Sequence, residues 1–149
     1  MEKVSRRNVL KCSAACAFAA SCVPRSVEAY GEPINIGNPM DFEIDSISEK
    51  FIRNNFFVIR RKDRLYTITA SCPHEENYLF RDLSNPKQIS CAGHDAFFDL
   101  EGRPLKGPVR KGLPRFKVTR DGNGQALVDP FTEFSEQKWS EKDSYLELK

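Results

Sequence analysis

Short apolar and β-branched runs recur along the chain, separated by polar or glycine-rich turns, and they predict β structure throughout. Phe56-Phe57-Val58-Ile59-Arg60 and Leu65-Tyr66-Thr67-Ile68-Thr69 flank the polar connection Arg61-Lys62-Asp63-Arg64, which suits a hairpin. Similar runs lie at Pro33 to Gly37, Gln88 to Ser90, Phe116 to Thr119 and Ala126 to Val128, with the turn signal Asp121-Gly122-Asn123-Gly124 between the last two. Many short strands with Gly and Pro turns imply a sandwich or a small barrel. The eleven Phe are read as core.

The first residues follow a different pattern. A basic start is followed by a modest apolar run, Cys12 to Val23, then Pro24 and a Val27-Glu28-Ala29 site suited to signal peptidase. Ser5-Arg6-Arg7-Asn8-Val9-Leu10-Lys11 resembles the twin-arginine export signal, with Val9 where that pattern more often carries Phe. The run is about a dozen residues, whereas a spanning helix needs roughly 20 apolar ones, so a permanent anchor is not expected. Two other readings are a coincidental Arg pair and a lipoprotein site at Ala19-Ala20-Ser21-Cys22, through which this segment would associate with a membrane. Twin-arginine export serves proteins already folded around a cofactor, so this route itself suggests a metal site.

The 149 residues suit a single globular unit, organised as a signal segment 1–29, a folded domain 30–129 and a tail 130–149. Lys and Arg total 23 against 21 Asp and Glu. Setting aside Lys3, Arg6, Arg7, Lys11 and Arg25 together with Glu2 and Glu28 leaves 18 basic and 19 acidic residues. That balance gives no electrostatic reason to expect nucleic acid. In the tail, Trp139 and Tyr145 stand among charges, and packing is favoured over docking because exposed aromatics are uncommon.

Of five cysteines, three fall in the signal, leaving Cys72 and Cys91, and the two histidines, His74 and His94, stand beside them. Two cysteines alone in an oxidising compartment suggest a disulfide, which leaves both histidines unexplained. The constellation is Cys72-Pro73-His74, sixteen intervening residues, then Cys91-Ala92-Gly93-His94. A Cys-x-His spacing in extended backbone turns both side chains to one face. Small residues at 92 and 93 let backbone approach a bound group closely.

This constellation resembles the Rieske pattern, Cys-x-His followed by Cys-x-x-His, in which two thiolates hold one iron of a [2Fe–2S] cluster and two imidazoles hold the other. The resemblance implies that Cys72 and Cys91 ligate one iron and His74 and His94 the second. It extends through His94-Asp95-Ala96-Phe97-Phe98-Asp99-Leu100-Glu101-Gly102, through Gly107-Pro108 as the loop covering the cluster, and through Leu113-Pro114-Arg115-Phe116-Lys117-Val118 as a returning strand. In all it spans roughly residues 55 to 129. The implied fold is all-β, a Rieske-type antiparallel β-sandwich with a cluster-binding loop subdomain. The implied function is electron transfer, as a subunit or partner of a larger exported oxidoreductase outside the cytoplasm, with no catalytic activity alone. The alternative is a non-redox zinc module with two Cys and two His, although zinc modules usually separate a ligand pair by two to four residues.

The departures from that family are informative. Rieske proteins of quinol-oxidising complexes carry two further cysteines that brace the ligand loops, and the matching positions here are Asn77 and Gly93. They also place Ser and Tyr after the second histidine, where this chain has Ala96 and Phe98, which predicts a potential in the lower part of the Rieske range. Glu76 stands where many relatives have Gly.

Overall fold

A computed structural model of the chain describes residues 31–148; the export-signal reading of residues 1–29 lies outside them. The described chain runs β1 (Ile34–Gly37), β2 (Ser46–Ser48), β3 (Phe56–Arg60), β4 (Arg64–Thr69), β5 (Leu79–Arg81), β6 (Ile89–Cys91), β7 (Phe97–Phe98), β8 (Pro104–Lys106), β9 (Arg115–Arg120), β10 (Ala126–Phe134) and β11 (Leu146–Glu147). Among the described residues the only helical elements are three short 3-10 turns, and no helix is long and apolar enough to cross a membrane.

The strands form two antiparallel sheets. The larger has the order β1-β10-β9-β4-β3-β2, with β11 added to the start of β4; the smaller has the order β5-β6-β7-β8 and is inserted between β4 and β9. The hairpin of β3 and β4 forms as its sequence predicts, pairing Phe57 with Ile68 and Ile59 with Tyr66. Both strands are covered on both faces. Phe57, Ile59, Tyr66 and Ile68 join the core shared with the smaller sheet, while Phe56, Val58 and Leu65 join a second core with Phe116, Val118 and Val128. A strand buried on both sides favours apolar residues, and Phe56 to Ile59 contains no polar one, while β4 buries Thr67 with its hydroxyl donating to the Phe116 carbonyl at 3.4 Å.

Residues 130–148 pack onto this frame. β10 continues past a register shift between Asp129 and Glu133, where Pro130, which has no amide hydrogen to give the ladder, sits in the irregularity. Trp139 is buried, Tyr145 packs against the shared core, and β11 pairs Leu146 with Leu65. Packing therefore prevails over a free docking tail.

Trp139 also closes a polar core. The Arg115 guanidinium, 2% exposed, lies 3.9 Å from the Tyr66 ring centroid and 4.3 Å from that of Trp139. Its Nη2 donates to Glu101 Oε2 at 2.8 Å, and Glu101 Oε1 accepts from Arg61 Nη1 at 2.9 Å. A buried guanidinium persists because a carboxylate and two aromatic faces replace its water. Tyr66 donates from its hydroxyl to the Leu100 carbonyl at 3.0 Å, and burial pushes its phenol well above the usual range, so it stays a donor.

Candidate metal centre

The smaller sheet presents two loops side by side. The first, Cys72 to Asn77, leaves β4 and enters β5. Glu76 N–H donates to the Cys72 carbonyl and Cys72 N–H to the Asn77 carbonyl, both at 2.8 Å, so the loop closes on itself. This closure puts Glu76 at φ +55°, a left-handed conformation that glycine adopts without penalty and glutamate does not. The second loop begins at Cys91, the last residue of β6, where Cys91 N–H donates to Ala96 O at 3.0 Å and Ala96 N–H to His94 O at 2.7 Å. β5 and β6 hold the loops together through the Leu79–Cys91 pair and the Ala92 N–H to Tyr78 O bond at 3.0 Å.

Side chains meet where the loops meet. Cys72 and Cys91 are both buried and both free, so the disulfide alternative is absent. Their sulfurs and a ring nitrogen of His94 lie within 4.8 Å of one another. His74 projects further out: its side chain is 38% exposed against 20% for His94, its ring centroid is 4.5 Å from that of His94, and its Nδ1 is 2.5 Å from His94 Nε2. His94 Nδ1 is buried without a hydrogen-bond partner. All four predicted residues are thus brought together, as an inner group of three with His74 at the rim.

The protein's own electrostatics favour the neutral thiol at Cys72, so a bound cation must supply the drive to ionise it. Burial pushes the Cys72 thiol up and the neighbouring Cys91 adds to this, while backbone amides of His74 and Glu75 directed at the sulfur oppose it. A buried thiol pair that must ionise gains most from a cation that displaces the protons.

Two close approaches depend on the residue types present. A Cβ on Gly93 would lie 2.2 Å from Asn77 Nδ2, so the positions matching the family's brace cysteines face each other, the amide of one filling the space above the other. At Gly107, φ is +107° and a Cβ would lie 2.6 Å from Ala96 Cα, so only glycine lets the covering loop rest on the second ligand loop. Beyond Gly107, Pro108, Val109, Arg110 and Lys111 line a shallow cleft with Pro73 and His74.

Sequence reasoning missed Glu75. Its Oε1 lies 3.8 Å from His74 Nδ1 and its Oε2 3.5 Å from His94 Nε2, and Asn77 Nδ2 donates to Oε2 at 3.4 Å. No pattern in the chain marks it, because its place depends on the second loop.

A family model of the Rieske [2Fe-2S] domain matches residues 24–117. The chain belongs to this family. Its cofactor is a [2Fe–2S] cluster and its chemistry is Rieske-type electron transfer, a reading that disfavours zinc. The residues fit that group, since the donor set is two thiols and two imidazoles and the orphaned His94 Nδ1 is an atom that a metal ion satisfies. Among solved structures, the Rieske chain is similar to the ferredoxin of carbazole 1,9a-dioxygenase from Nocardioides aromaticivorans IC177, at 23% identity over 67% of this chain and 99% of that one, with a TM-score of 0.46. It is also similar to a chain from a complex of reduced oxygenase and oxidized ferredoxin in carbazole 1,9a-dioxygenase, at 21% identity over 64% of this chain and 100% of that one, TM-score 0.46. The cyanobacterial plasma membrane Rieske protein PetC3 from Synechocystis PCC 6803 matches at 20% identity over 64% of this chain and 98% of that one, TM-score 0.42. A comparison with curated proteins finds no match.

Proposed function

We propose that this chain is an exported electron carrier whose cluster is held by Cys72 and Cys91 on one iron and by His74 and His94 on the other, and that it serves a larger oxidoreductase outside the cytoplasm. The observation that carries the ligand assignment is the convergence of the four side chains from two loops, with both thiols buried and His74 partly exposed. Thiolates are soft anions and stabilise oxidised iron, whereas neutral imidazoles leave their iron easier to reduce, so the bound cluster supplies a one-electron site biased to the histidine side. The chain's own part is to bury the sulfurs, orient the imidazoles and bring one of them to the surface. Electrons then enter and leave by way of His74, beside the cleft lined by Pro73, Pro108 and Val109. With both histidines committed to iron, no histidine is left for acid–base work.

The location and partner rest on Ser5 to Lys11 and the apolar run behind it, which resemble the twin-arginine signal. Anaerobically purified protein should contain two iron and two acid-labile sulfide per chain and give a rhombic EPR signal on reduction. Substituting Cys72, His74, Cys91 or His94 by alanine should abolish that signal. A variant that loads normally would remove its residue from the ligand set. For export, Arg6→Lys with Arg7→Lys should leave the cluster-loaded protein in the cytoplasm, while unchanged export would overturn the proposed location. Affinity capture of the exported protein should recover an oxidoreductase that it reduces or that reduces it.

A further inference from the structure

Glu75 has no counterpart in the reading above, yet it is the acid that touches both histidines. Its two carboxylate oxygens face the two rings at 3.8 and 3.5 Å, and Asn77 fixes one of them. Asp95, the other acid next to a histidine, is paired with Lys106. Among the described residues Glu75 forms no ion pair with Lys or Arg, so its negative charge is not locally compensated.

We propose that Glu75 is a potential-setting residue, its carboxylate holding a negative charge beside the histidine-bound iron and thereby lowering the reduction potential. The inference rests on the ligand assignment proposed above and deepens it. Adding an electron to a centre next to a fixed negative charge is disfavoured by Coulomb repulsion, and net charge near a cluster is one of the protein's levers on its potential. The carboxylate is largely exposed, at 60%, so bulk ions screen it. Two thiols and two imidazoles would complete the cluster's ligand set, so Glu75 would act as a positioned charge and not as a ligand.

The test is an EPR-monitored redox titration of the cluster-loaded full chain at low salt. Glu75→Gln keeps the shape of the side chain and its contact with Asn77 but removes the charge. It should raise the potential by about a three- to tenfold shift in the reduction equilibrium, tenfold being about 59 mV for one electron, with unchanged g-values. The difference from the unmodified chain should shrink as ionic strength rises from about 0.01 M to about 1 M, because the screening length falls from about 30 Å to about 3 Å. Glu76→Gln removes the same charge one residue away, at a side chain without a contact to either ring, and should shift the potential less. An unchanged or lowered potential in Glu75→Gln, a rise indifferent to salt, or an equal rise in Glu76→Gln would each overturn the proposal. Should Glu75→Gln lose its cluster, the unmodified chain still decides the matter: its own potential must climb with salt, and a flat response would overturn it. A failure of the ligand assignment shows separately, as an alanine variant of one of the four residues that still gives the EPR signal.

Discussion

Glu76 and Ala96 each show a single side chain whose type matters through the backbone or the atoms it lacks. At φ +55°, Glu76 occupies a conformation that costs an L-residue with a Cβ about 1–2 kcal/mol, an amount partly offset because glycine is more disordered when unfolded. Glu76→Gly should therefore stabilise the folded protein by about 0.5–1 kcal/mol in urea denaturation; a loss of stability would mean that the loop does not need the left-handed turn. Ala96 and Phe98 are fully buried next to the second ligand loop and carry no hydroxyl, so they give the cluster sulfurs no side-chain hydrogen bond. A hydrogen bond to a charged acceptor is worth about 1.5–3 kcal/mol, only part of it differing between oxidation states. The paired substitution Ala96→Ser with Phe98→Tyr should raise the potential on the order of 100 mV, at about 59 mV per tenfold change. An unchanged potential would show that neither hydroxyl reaches a sulfur.

The two ligand loops are coupled as elements, and that coupling divides what the sequence reveals from what it hides. β3 and β4 are legible because two runs of apolar and β-branched residues flank a short polar connection. The four ligands are legible because their chemistry is concentrated in two short motifs. By contrast β2, β5, β7, β8 and β11 have two or three residues each, too few to carry a period, and they exist because a neighbour offers a ladder. Loop-to-loop contacts such as Asn77 on Gly93 and Glu75 on His94 are equally silent, since they depend on the approach of residues 16 or more positions apart. Asn77 and Gly93 make that approach testable. Gly93→Ala places a methyl against the Asn77 amide and should slow cluster loading, whereas Gly93→Ala with Asn77→Gly should recover it. Equal loading of Gly93→Ala, of Asn77→Gly and of the pair, measured by visible absorbance after reconstitution, would show that the loops do not press on each other there.

At the scale of the whole molecule, the C-terminal segment reaches the metal centre without touching it. Trp139 lies over Arg115, and a Cβ on Gly112 would meet its ring at 2.5 Å. Gly112 N–H donates to Glu136 Oε2 at 2.7 Å, and Leu113 N–H donates to Gly102 O at 2.9 Å. These contacts anchor the C-terminal end of the covering loop, whose other end, Gly107, rests on Ala96. The lid over the ligands is therefore fastened at one side by the second ligand loop and at the other by residues 136 to 139. Trp139→Ala removes a buried indole and one face of the Arg115 sandwich, which should cost about 3–5 kcal/mol of stability. Because local openings draw on the same contacts, it should also speed the loss of iron to a chelator under conditions where the protein stays folded. Glu136→Ala isolates the second effect, since it removes one hydrogen bond to the loop, about 1 kcal/mol, and leaves the indole in place. If Glu136→Ala and Trp139→Ala both release iron at the unmodified rate, the tail stabilises the sheets alone and the covering loop is held by Gly107 and its own prolines.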